Sequence, residues 1–253
     1  MKLTIANISV SIDAPTLSDA VAAIGQQVSR DFKPVWGVDA IIVATKLDIT
    51  SPQVNIDSST DAIIYVGDSS QDPTSGVSGT LGYHSDNYNH LPYGFVYLDV
   101  CREYNEPWSC TLSHEALELL ADPTAVLTVT GPAPSGTTEK TVYYDLEVCD
   151  PTQGDTYNVD GVVVSNFVTK WYFNMAGGPA GRTTNFLNLS LGQFEARPGG
   201  YFQYEDDSGA HQVDGSKVDE RRRAARRMLS DYRRNGRRAI RLERGFEQRR
   251  REG

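Results

Sequence analysis

The chain has 253 residues, of which 39% are hydrophobic, 23% charged and 9% aromatic. That length allows one large domain, or a medium one with an appendage, and a sizeable core. No apolar run reaches the ~18 residues a membrane span needs, and three cysteines are too few for a disulfide scaffold.

The start, MKLTIANISVSIDAP, alternates polar and apolar residues without the apolar core of a secretory signal. With the cysteine count, it points to a reducing, cytoplasmic setting; a virus particle is the alternative. The formal net charge of -9 hides a division. Residues 217–253 hold 15 of the 24 basic side chains but only six of the 33 acidic ones. An acidic body therefore carries a basic tail, which separates two tasks.

In chain order, residues 3–12 read as a strand. Thr16 or Ser18 can cap a helix that puts Leu17, Val21, Ala22, Ile24 and Val28 on one face and ends near Phe32. VDAIIVATKLD (38–48) and DAIIYVGD (61–68) are β-branched apolar runs suited to buried strands. The stretch between 68 and 82 is loop chemistry, and YGFVYLDV (93–100) is a further strand. Ser109 or Thr111 opens a helix through Ala121, stopped by Asp122-Pro123. The remainder reads as β: AVLTVT, KTVYYDLEVCD, VDGVVVSNFV and a hairpin from PGGYFQYEDD to GAHQV. This order predicts an α+β domain over residues 1–215, built on a mixed sheet, and a basic helical tail over 216–253.

The segment Ser113-His114-Glu115-Ala116-Leu117-Glu118 carries the chemistry. On a helix, His114 and Glu118 lie one turn apart on one face, so both can ligate one metal ion. Glu115 is rotated about 100° from His114 and could serve as general base to a water. This is the H-E-x-x-H arrangement with a carboxylate in place of the second histidine. Glu147 or Asp150, in Glu147-Val148-Cys149-Asp150, is the best source of a third ligand, with Glu147 slightly favoured. Cys149 reads as a small hydrophobe, and His84 and His90 are weaker candidates. Tyr144, Tyr157 and Trp171 could line a cleft, although such aromatics more often belong to a core.

The helix SHEALELLADP, followed by LEVCDP at 146–151, resembles zincin-type, metallopeptidase-like proteins with an S-H-E-x-x-E-x-x-x-(D/N)-P helix. These form a bacterial and phage-borne group; more distantly, the exordium-type plant proteins share a later E-I-x-D-x-C segment. VSRDFKPVWGVDA, LGYH, LPYGFVYLDV and VSNFVTKWYF are similar to the bacterial group too. The resemblance thus spans roughly residues 25–205. It implies a zincin-like fold, a twisted sheet whose edge strand (here 93–100) lines a cleft above the metal helix. By position, His114 and Glu118 would be metal ligands, Glu115 the base, and Glu147 or Asp150 the third ligand. There is no second motif histidine, so the well-studied peptidase clans are not implied.

These readings lead to a zinc-dependent peptidase acting on a peptide or protein. The alternative is a non-catalytic assembly protein whose arginine-rich tail binds nucleic acid or an acidic protein surface. Membrane partners are not expected, and the sequence does not set the oligomeric state.

Overall fold

The computed structural model describes residues 1–47, 56–70, 80–86, 91–137, 139–176, 182–218 and 220–221. Among these, the architecture is mixed α and β, with few helices and several sheets. No helix among the described residues is long and apolar enough to cross a membrane.

The first sheet joins β1 (Lys2–Asn7), β2 (Ile41–Lys46), β3 (Ala62–Gly67), β4 (Gly82–Asp86) and β5 (Pro92–Tyr97) in the order β2-β1-β3-β5-β4. All pairings are parallel except β4 with β5, which is antiparallel and places β4 at the edge. The inner strands β1 and β3 are buried along nearly their whole length, as continuous apolar runs in parallel sheets require. The expected strand over 3–12 stops at Asn7. There the Asn7 side chain accepts the Ser9 N–H and donates to the Ile12 carbonyl, turning the chain out of the ladder.

Helix α1 (Ala14–Gln26) is capped by Asp13, which accepts the Thr16 N–H at 2.8 Å, not by Thr16 or Ser18. The helix runs on through a wider π-helical stretch, Gln27–Phe32, into α2 (Lys33–Trp36), which ends at left-handed Gly37. The expected strand over 93–100 is also shorter. Asp99 accepts the N–H groups of Val100 and Ser70, and the chain bends into α3 (Leu98–Glu103). Strand β5 lies inside the sheet rather than at its edge, and β4 is the edge strand beside it.

Helix α4 (Trp108–Ala121) follows Pro107. Ser109 donates to the Val163 carbonyl rather than capping it. From Cys110 to Leu120 every residue of α4 is buried. The helix packs against β3, β4 and β5 and against a later strand, β9 (Val162–Ser165). Asp122, 1% exposed, ends it and accepts the Leu127 N–H, fixing the turn toward the next sheet.

That second sheet is antiparallel, ordered β11-β10-β7-β6 from β6 (Thr128–Pro132), β7 (Thr141–Asp145), β10 (Tyr201–Asp206) and β11 (Gly209–Asp214). A separate hairpin, β8 (Thr156–Val159) and β9 (Val162–Ser165), turns through Asp160 and Gly161, both at positive φ. Of the expected tail only 216–218 and 220–221 are described, with Arg221 paired to Glu103 at 2.9 Å. The rest of the expected basic helical tail lies outside the described residues.

Candidate metal centre

Three pieces of chain converge on one buried polar cluster. Helix α4 supplies His114, Glu115 and Glu118; the segment after β7 supplies Glu147, Cys149 and Asp150; edge strand β4 supplies His84. None of these seven side chains belongs to a residue more than 6% exposed.

The segment after β7 is not the strand the sequence suggests. The ladder ends at Asp145, and residues 146–149 are irregular before a short 3-10 turn, Asp150–Thr152. The backbone satisfies itself elsewhere: Leu146 N–H donates to Leu127 and Val168 N–H to the Val148 carbonyl. The N–H groups of Cys149 and Asp150 both point at Glu118 Oε1, at 3.1 and 3.3 Å. The carboxylate of α4 thus organises the segment that brings Glu147 and Asp150 in.

The other Glu118 oxygen, Oε2, stands 3.2 Å from His114 Nε2, and Asp150 Oδ1 lies 3.1 Å from the same nitrogen. Burial opposes a proton on His114, but Glu118, Asp150 and Glu115 together hold its pKa well above the usual histidine range. What favours a proton there favours any cation. Burial, reinforced by Glu118, pushes the Cys149 thiol well up and keeps it neutral.

His84, fully buried, faces the cluster from the sheet edge. Its Nδ1 is 3.5 Å from Glu115 Oε2 and 3.8 Å from Glu118 Oε2, and its Nε2 is 3.9 Å from Glu147 Oε2. The signal that could have raised it was LGYH. Gly82 and His84 share one face of β4 by strand alternation, and any side chain at 82 would strike Glu115. His90 lies outside the described residues.

Four carboxylates thus share a buried site with two imidazoles. Fully ionised, four carboxylates would place several negative charges together, and an uncompensated buried charge costs several kcal/mol. Three groups of side chains here offer ligand atoms within 4.8 Å of one another: His114, Glu118 and Cys149; His84, Glu115 and Glu118; and Glu118, Glu147 and Asp150. Oxygen and imidazole donors suit a divalent cation such as zinc, so the donor set fits.

No protein-family model, curated protein or solved structure matches this chain.

Around the site, Ser113 is a strut rather than a reactive hydroxyl. It donates to Gln27 Oε1 at 2.7 Å and accepts the Ser165 N–H at 3.0 Å, tying α4 to the π-helical stretch and to β9. The aromatics considered as cleft walls have other partners. Tyr144 is core to the second sheet, with its hydroxyl on the Pro132 carbonyl. Tyr157 donates to Asp31, and Trp171 carries the Arg182 guanidinium 5.1 Å from its ring.

Proposed function

We propose that the protein is a zinc-dependent, zincin-like hydrolase of the metallopeptidase type. The observation that carries this is the surplus of buried carboxylates around His114 and Glu118, on a helix enclosed by the sheet and hairpin. His114, Glu118 and Asp150 hold the cation, because Asp150 Oδ1 and Glu118 Oε2 both face His114 Nε2. Glu147, which the sequence favoured slightly, adjoins them as a further acidic donor.

When bound, zinc supplies Lewis acidity that polarises a carbonyl and makes a water more acidic. The chain's own residues do the rest. Glu115, next to His114 on the helix, accepts the proton of the attacking water and passes it to the leaving amine. Glu118 is fixed by two backbone N–H groups, so its second oxygen is held toward His114.

A second reading is a closed, non-catalytic metal site that stabilises an assembly protein. Deep burial of every donor favours it, since structural metal sites are closed while catalytic ones keep an open position. Arg221, at the start of the basic segment, pairs with Glu103 at 2.9 Å.

Elemental mass spectrometry on untagged protein tests both readings. The expected result is bound zinc that is lost in His114→Ala and Glu118→Ala. Peptide hydrolysis abolished by Glu115→Gln, with the zinc retained at low free metal, supports the enzyme. Metal without hydrolysis of any peptide in a diverse library supports the closed site. No metal after zinc loading overturns both.

A further inference from the structure

The donors around α4 outnumber what one cation requires. With one divalent ion and neutral histidine ligands, four fully ionised carboxylates would still leave two negative charges among these buried side chains. Those donors form three overlapping groups that all contain Glu118. Glu118 Oε2 and Asp150 Oδ1 face His114 Nε2. Toward β4, His84, Glu115 and the shared Glu118 have ligand atoms within 4.8 Å of one another.

Glu115 gives this last group its independent support. It is only 4% exposed, and its Oε2 accepts no hydrogen bond while standing 3.5 Å from His84 Nδ1. A buried carboxylate oxygen left this way is costly unless something positive joins it. Strand β4 is shaped for the arrangement. A Cβ at Gly82 would come within 2.9 Å of Glu115 Oε1, so the missing side chain is what lets the carboxylate lie against the strand. Two residues on, and on the same face, His84 presents its imidazole.

We infer that His84, Glu115 and Glu118 bind a second divalent cation, with Glu118 shared between the two sites. The inference rests on the first site proposed above. Filling the second site ties Glu115 Oε2 to a cation and withdraws the general base. The one-cation form is then the hydrolytic form, and the two-cation form is a resting state.

The test is equilibrium dialysis of the full chain against rising Mn²⁺, read by elemental analysis and electron paramagnetic resonance. Two Mn²⁺ per chain with an exchange-coupled spectrum are expected in the wild type. His84→Gln and Glu115→Gln should each retain one, with an uncoupled six-line signal. Saturation of the wild type at one ion overturns the second site and leaves the first intact. Two ions that persist in both variants, or that are uncoupled in the wild type, also overturn it. No binding at all overturns the first site with it. Circular dichroism confirms folding; if His84→Gln unfolds, the near-isosteric Glu115→Gln decides.

Discussion

The Oε1 atom of Glu118 accepts the backbone N–H of Cys149 at 3.1 Å, across 31 residues of chain. The same oxygen takes the Asp150 N–H, while Oε2 faces His114. One fully buried carboxylate therefore both folds the acidic segment into place and contributes to the site that segment completes.

Those two tasks separate under substitution. Glu118→Gln keeps an amide oxygen for the two N–H groups but loses the charge, so metal affinity should fall while the metal-free fold changes little. Glu118→Ala also strands two buried N–H groups, at about 1–3 kcal/mol each. Urea denaturation in chelator should find the Ala variant clearly less stable than the Gln variant. Equal stability would mean that Glu118 does not hold the segment.

Gly82→Ala tests the fit between β4 and α4. The new Cβ would meet the Phe95 carbonyl at 2.8 Å and the Glu115 Oε1 at 2.9 Å. The carbonyl belongs to the paired strand and cannot rotate away. We expect a loss of about 1–3 kcal/mol, together with weaker metal binding because Glu115 is displaced. A melting temperature and metal content matching the wild type would contradict the packing.

Much of the helix site is legible in the sequence, because its information is local. His114 and Glu118 sit one turn apart by helical geometry alone, and Asp122-Pro123 ends the helix where expected. Glu147 and Asp150 were found from their chemistry, although the strand drawn through them does not extend past Asp145. What local pattern could not supply was which strand covers α4. The resemblance gives that place to 93–100, whereas β4, only five residues long, reaches the edge by antiparallel pairing. His84 reads in the sequence as a loop residue before the strand at 93–100, which hides its approach to α4. The α1 cap was legible but missed: Asp13 two residues before Pro15 is a strong helix start.

Ser113 stands beside the motif yet should leave metal content unchanged. Its hydroxyl bridges Gln27 and the Ser165 N–H in a fully buried position. Ser113→Ala leaves both partners unsatisfied and should cost about 1–3 kcal/mol in chemical denaturation. Loss of metal without loss of stability would instead assign the serine to the site.

The three free cysteines give a pH-dependent check on the core. Cys101, Cys110 and Cys149 are each at most 3% exposed. Burial raises all three thiols: Cys101 is pushed up to about 11, and Cys110 and Cys149 are also held well above their ordinary value. At pH 8 the folded protein should react slowly with a thiol reagent, since the thiolate is the nucleophile and is neither formed nor reachable. Three thiols should titrate rapidly once denaturant is added. The linkage has a definite sign. Between the ordinary thiol value and the raised one, the unfolded chain has released protons that the folded chain retains, so this contribution to stability falls as pH rises. Denaturation midpoints measured from pH 8 to pH 10 should decline, and replacing Cys101 with Ala should flatten that decline. Rapid reaction of any thiol at pH 8 without denaturant would show that the packing around it opens in the native state.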